Sequence, residues 1–77
     1  MTDILTELRK FLRDNLDSCS GIYDRYRLQL IKGTARGAYC FALQYFCTNR
    51  MTDQLTQLNK LWEEYEADFD KLLEEAA

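Results

Sequence analysis

The chain has 77 residues, of which 47% are hydrophobic, and it contains no proline, a composition typical of one folded domain rather than of a disordered segment. It contains no histidine, which excludes Ser-His-Asp and Cys-His catalysis and the ordinary zinc sites. Three cysteines without a CxxC spacing argue against a disulfide framework: Cys19, Cys40 and Cys47. We therefore expect a single helical domain over residues 1–77 that is not an enzyme and holds no metal or cofactor.

The distribution of apolar residues gives an expectation about location. No apolar run is long enough to cross a bilayer, and the N-terminus lacks the basic-then-apolar layout of a secretory signal. We expect a cytoplasmic protein that makes no membrane contact.

The first segment has the periodicity of an amphipathic helix. Apolar residues recur at steps of three and four and share one face: Ile4, Leu5, Leu8, Phe11, Leu12 and Leu16. The spacing predicts a helix over about residues 3–17.

The middle segment, residues 21–48, allows two interpretations. A β-hairpin would use "YRLQLIK" and "AYCFALQYF" as strands around "GTARG". The absence of valine and the three alanines favour a helix instead, either one that continues through Gly33 and Gly37 or two that meet where Gly33 ends the first and Thr34 caps the second. As a helix, the segment places one broad set of residues on a shared face: Tyr23, Tyr26, Leu30, Thr34, Ala38, Phe41 and Tyr45.

The last segment gives the strongest helix pattern. Its large apolar residues alternate at three- and four-residue steps: Leu55, Leu58, Trp62, Tyr65, Phe69 and Leu72. Three of these are bulky rings, which need a broader core than the seam of a two-stranded coiled coil. The fold class predicted is therefore a compact all-α bundle of three or four helices, with the last over residues 52–75. An aromatic cluster is expected mainly in its core, although it could line a ligand pocket: Tyr39, Phe41, Tyr45, Phe46, Trp62, Tyr65 and Phe69.

One ten-residue phrase occurs twice, as "MTDILTELRK" and "MTDQLTQLNK". Both phrases look like helix starts, with Thr2 and Thr52 as N-caps, an aspartate in the first turn, and leucines on the buried face. The similarity is explained if both helices follow the same residue preferences at a helix N-terminus. The alternative is a duplication that left a pseudo-symmetric pair of helices.

Charge is sorted along the chain. Residues 22–50 contain five basic residues and one acid, a net of +4, whereas residues 63–77 contain seven acids and one lysine, a net of −6. The acidic candidate site for a partner is Glu63, Glu64, Glu66, Asp68, Asp70 and Glu74. The basic candidate patch is Tyr23, Arg25, Tyr26, Arg27, Lys32 and Arg36. The two sets could also neutralise each other within the molecule or across a dimer interface.

These patterns predict a small homo-oligomeric helical protein that binds a larger protein as a regulator, adaptor or inhibitor through the acidic face. Compact acidic proteins of this kind include those carried by phages and other mobile elements. Two alternatives remain open. The basic patch could bind nucleic acid through phosphates and stacking, or the chain could be a self-assembling helical scaffold.

Overall fold

The computed structural model describes residues 3–76, which form three α-helices and no strand. They are α1 (Ile4–Asp17), α2 (Arg25–Thr48) and α3 (Thr52–Glu75). The all-α bundle is confirmed, and it has three helices, because α2 continues through Gly33 and Gly37 without a break. The β-hairpin and the break at Gly33 were therefore wrong alternatives. None of these three helices is both long and apolar enough to cross a membrane.

The start of α2 lies four residues later than predicted. Gly21 takes a left-handed conformation (φ 80°), and the chain then runs to Asp24, whose carboxylate accepts a hydrogen bond from the Tyr26 N–H at 2.9 Å. Aspartate at this position satisfies one of the free N–H groups of the first turn. The helix therefore begins after Asp24 rather than at Gly21.

The end of α2 is a Schellman motif without a glycine. The Met51 N–H donates to the Phe46 carbonyl at 2.9 Å, and the Arg50 N–H donates to the Cys47 carbonyl at 3.2 Å. Arg50 supplies the left-handed residue that this motif needs, with φ of 53°. Met51 packs against the core that contains Phe46, which directs the chain back along the bundle into α3.

The helices run up, down and up. Along the α2–α3 seam, Lys32 lies beside Glu66 and Tyr39 beside Asn59, so these two helices are antiparallel. The Asn15 side chain donates to the Ile31 carbonyl at 3.0 Å and accepts from the Tyr65 hydroxyl at 2.6 Å. Asn15 therefore links all three helices near the end of α1.

The core takes residues from every helix. Its buried members are Leu5, Leu8, Leu12, Cys19, Leu28, Ala35, Ala42, Phe46, Leu58, Leu61, Trp62, Tyr65 and Phe69. Tyr39, Trp62, Tyr65 and Phe69 form a row of neighbouring rings with centroids 4.7, 4.9 and 5.8 Å apart. The expected aromatic core is thus confirmed for most of its members. Phe41 and Tyr45 do not belong to it, since both are exposed.

The repeated phrase gives two helix starts with different caps. In α1 the cap is Asp3, whose carboxylate accepts from the Leu5 N–H at 3.2 Å. Thr52 is the first residue of α3 rather than its N-cap, and Met51 at the cap makes no side-chain hydrogen bond. The Thr2 prediction lies outside the described residues. As expected, Leu5, Leu8 and Leu58 are buried, and Leu55 is half-buried against the core. Because α1 and α3 run parallel in any up-down-up bundle, their matching direction fits both explanations of the repeat.

Candidate interaction surfaces

The seam between α2 and α3 joins the basic and acidic parts of the chain. The Lys32 ammonium lies 3.5 Å from a Glu66 carboxylate oxygen and 5.6 Å from the centre of the Phe69 ring. At the far end of the seam, the Arg25 guanidinium donates to the Leu73 carbonyl at 3.2 Å. This carbonyl is in the last turn of α3, where the helix dipole favours a cation. Two of the predicted basic residues are therefore held by α3.

Tyr39 of α2 contacts α3 within this seam, close to two carboxylates. Its hydroxyl donates to the Asn59 side chain at 2.9 Å, and its ring stacks on Trp62. Burial raises the pKa of Tyr39 above its ordinary value, and nearby thiols and the carboxylates Glu66 and Glu63 add to the rise. Glu63 follows Asn59 by one helical turn and Glu66 is paired with Lys32, so both lie on the side of α3 nearest α2.

The six predicted acidic residues do not form one face. Glu63, Glu66, Asp70 and Glu74 follow one another at three- and four-residue steps and form what we call the acidic row, beside α2 and on the outer side of α3. Glu64 and Asp68 lie on the opposite flank, in shallow grooves that they share with Arg9 and Arg13 of α1. The acids nearest α1 thus face basic residues of the same molecule.

The predicted basic patch is also divided. Lys32 and Arg36 line a groove along the α3 side of α2, together with Gln29 and Gly33. Arg27 and Tyr26 are turned away from that groove by the helical repeat, and Tyr23 precedes the helix. The structure therefore brings Arg25, Lys32 and Arg36 to one seam and leaves the other three residues elsewhere.

A third surface was not assigned by sequence reasoning. Four large side chains of α2 project into solvent: Phe41 (74% exposed), Tyr26 (72%), Leu30 (57%) and Tyr45 (42%). With Thr34 and Gly37 between them, they form what we call the outer face of α2. An open, mostly apolar groove of about 410 Å³ extends this face to α1, where Ile4 and Phe11 lie opposite Ala38 and Phe41.

A signal for the outer face was present in the sequence. The helical wheel had already placed Tyr26, Leu30, Phe41 and Tyr45 together, but a second apolar set follows another line of the same helix. That second set is Leu28, Ala35, Ala42 and Phe46, and it is the one that is buried. The three-helix packing covers the second set and leaves the first set in solvent.

The three cysteines differ in their surroundings. Cys19 is buried, and this burial raises the pKa of its thiol, while Cys40 and Cys47 are free and exposed. Burial also raises the pKa of Tyr65 strongly. Between residues 3 and 76, no group of three or more Cys, Asp or Glu side chains is arranged to hold a metal ion.

No protein-family model matches the chain, and no curated protein or solved structure is significantly similar to it.

Proposed function

We propose that this protein is a non-enzymatic binding protein that acts as a regulator, adaptor or inhibitor by docking the acidic row of α3 on a basic surface of a larger protein. The observation that supports this most is the row itself: Glu63, Glu66, Asp70 and Glu74 lie along one rigid helix, and the salt bridge at Lys32 involves only Glu66. The other three carboxylates are exposed.

The acidic row is costly for the isolated helix, which makes a binding role reasonable. Glu66, Asp70 and Glu74 repeat at four-residue spacing, where like charges typically destabilise a helix by about 0.2–0.5 kcal/mol per pair. Acids in the last turns also oppose the helix dipole. A basic partner would relieve this repulsion. The electrostatic attraction between the partner and the row would have a shorter range at higher salt concentration.

The chemistry of the side chains supports a binding role rather than catalysis. The chain has no histidine, and the groups whose pKa values are clearly shifted are two tyrosines and a cysteine that burial holds in the neutral form. A neutral thiol is a poor nucleophile, because the thiolate is the reactive species. We therefore propose that the protein works through its surfaces.

Self-association and a cytoplasmic location are also part of the proposal. The outer face of α2 supports self-association, because large apolar patches on small proteins usually mark an interface. Three free cysteines are typical of a reducing compartment. An origin in a phage or another mobile element stays a prediction from the sequence.

Nucleic-acid binding is less well supported as an alternative. Lys32 is paired with Glu66, and Arg25 is bonded to a carbonyl of α3, so phosphates would have to compete for both side chains. The acidic row also borders the same seam and would repel a phosphate backbone.

The proposed surface can be tested with two charge-matched double variants. In Glu63→Lys/Asp70→Lys, the acidic row is reversed while the Lys32–Glu66 pair is kept. In Glu64→Lys/Asp68→Lys, the same charge is added on the other flank of α3. The wild-type chain and each tagged variant are used to recover partners from lysate of the native cell, with and without nuclease, and the recovered proteins are quantified by mass spectrometry.

We expect the wild-type chain and the second variant to recover a stoichiometric protein partner. The amount recovered should decrease as salt is raised. The first variant should not recover this partner. Circular dichroism should show the same helix content for all three proteins. Equal recovery with all three would place the binding site elsewhere. Recovery that disappears with nuclease in the wild-type sample would favour the nucleic-acid alternative.

A further inference from the structure

The outer face of α2 has a palindromic order of side-chain sizes. Tyr26 and Tyr45 lie at its ends, Leu30 and Phe41 lie inside them, and Thr34 and Gly37 lie at the centre. Each pair is equally distant from the point between Ala35 and Arg36. This pattern suits a two-fold interface, because residue i of one copy contacts residue j of the other while j contacts i, so each pair of matched positions meets twice.

The two glycines near the centre have no explanation within one molecule. An added Cβ at Gly33 or Gly37 would meet no atom within 4 Å. Glycine is among the poorest helix formers, so both positions weaken α2 without relieving any crowding that the single chain contains. Glycines four residues apart do allow the backbone of a second helix to approach closely.

We infer that the outer face of α2 is closed by the same face of a second copy, in an antiparallel two-fold dimer centred between Ala35 and Arg36. In this arrangement Tyr26 meets the partner's Tyr45, Leu30 meets the partner's Phe41, and Thr34 meets the partner's Gly37. This inference specifies the self-association included in the proposed function and rests on it to that extent.

The apolar area available approaches what a small stable dimer needs. A fully covered aromatic side chain buries about 150–250 Å². At their observed exposure, Tyr26, Phe41, Tyr45 and the neighbouring Phe11 offer roughly 350–550 Å² per copy. Leu30, Ile4 and the glycine backbone add to this area, bringing the face close to the roughly 600–1,000 Å² per partner that specific interfaces bury.

Charge favours the antiparallel orientation over the parallel one. The start of α2 contains Arg25 and Arg27, which outnumber the single N-cap carboxylate of Asp24, and it is also the positive end of the helix dipole. A parallel pair would bring the two positive ends together. The antiparallel pair places each of them near the partner's C-terminal turn, where the dipole is negative. Between Arg27 and the C-cap Asn49, the outer face contains no charged residue.

The test uses a substitution that helps the monomer and prevents the dimer. Gly37→Gln adds a polar side chain of good helix propensity at a site that is open in the single chain, so the monomer should melt at a higher temperature. The same side chain would separate the two backbones at the centre of the dimer. The control is Ala67→Gln on the exposed side of α3, and the second variant is Phe41→Gln.

Sedimentation equilibrium over a micromolar to millimolar range gives the dissociation constant of each protein. We expect a dimer for the wild type and for Ala67→Gln, and an increase in the dissociation constant of about thirtyfold or more for Gly37→Gln and Phe41→Gln. A wild type that stays monomeric at millimolar concentration would overturn the inference, as would a dimer that both substitutions leave unchanged.

The outcome is separable from that of the partner-binding test. The acidic row lies on α3 and the outer face on α2, so the Lys variants of the row should dimerise normally. If Gly37→Gln is monomeric and still binds the larger partner, the dimer is established and partner binding does not depend on it. If the wild type is monomeric but binds the partner, the dimer alone fails.

Discussion

The two apolar faces of α2 differ in how they use residue size. The buried face places Leu28 and Phe46 at its ends and Ala35 and Ala42 between them, each at most 3% exposed, which lets α1 and α3 close on the helix. The outer face has the same order of large ends and a small centre, yet it faces solvent in the single chain. One side of α2 therefore stabilises the monomer, and the other has the size pattern of an interface. Hydrophobic content alone does not distinguish them.

The difference between the two faces can be tested most directly by removing a phenylalanine side chain from each of them. Phe46 is 1% exposed and Phe41 is 74% exposed, and both belong to α2. We expect Phe46→Ala to lower the free energy of unfolding by about 3–5 kcal/mol, because it leaves a cavity in the core. Phe41→Ala should change it by no more than about 0.5 kcal/mol in the monomer. Urea denaturation followed by circular dichroism at low micromolar concentration measures both.

A loss of this size could leave Phe46→Ala unfolded without denaturant, which would itself agree with the expectation. Phe46→Leu, which keeps part of the buried volume, then gives a measurable transition. Similar losses at the two positions, at a concentration where the protein is monomeric, would show that the two faces are equally covered and would contradict the structure.

Tyr65 makes the buried side of the bundle sensitive to alkaline pH. Burial raises the pKa of Tyr65 well above its ordinary value of 10.0, and its hydroxyl donates to Asn15 at 2.6 Å. A folded-state pKa above the unfolded one means that the stabilisation is complete below the ordinary value and is lost as the pH rises beyond it. The raised pKa of Cys19 acts in the same direction from its ordinary value of 9.0.

We expect the urea midpoint to change little between neutral pH and the ordinary pKa of Cys19 and to fall steeply above the ordinary tyrosine value. Tyr65→Phe should cost about 1 kcal/mol at neutral pH through the lost hydrogen bond. It should also make the alkaline decrease shallower, because one of the titrating groups is gone. Parallel pH profiles for the wild type and Tyr65→Phe would show that Tyr65 is not the group responsible.

The smallest effect belongs to the charged seam beside these faces. The Lys32 and Glu66 side chains are 20% and 44% exposed, so their pair at 3.5 Å is partly in contact with water. A double-mutant cycle with Lys32→Met and Glu66→Gln should give a coupling of about 0.2–1 kcal/mol that decreases with salt. A coupling well above this range would mean that the seam is a main source of stability.

The helices were predictable from sequence because periodicity reports burial. The spacing of apolar residues located α1 and α3 closely, and Leu58, Trp62 and Phe69 are buried as expected. The late start of α2 had a readable signal, since Asp24 precedes the first turn and aspartate is a preferred N-cap. The continuity of α2 through Gly33 had no such signal in the sequence. A glycine lowers helix stability only modestly, and tertiary packing can override this loss.

The candidate surfaces were less predictable because they depend on which side of each helix is covered. The acids of α3 were expected on one face, but Glu64 and Asp68 face α1, as only the placement of α1 reveals. The sequence grouped the residues of the outer face of α2 on one side of a helix, but it did not show that this side is exposed. Its apolar character is the same as that of the buried face, so the choice between them is made by three-helix packing.

The most direct test of the two-faced helix is an isotope-filtered nuclear Overhauser experiment on a mixture of labelled and unlabelled chains at millimolar concentration. It detects only contacts between different copies. We predict contacts from the Leu30 methyl groups to the partner's Phe41 ring and from the Tyr26 ring to the partner's Tyr45 ring. Contacts that join each residue to its own equivalent would indicate a parallel pair, and the absence of contacts between copies at the outer face would contradict the account.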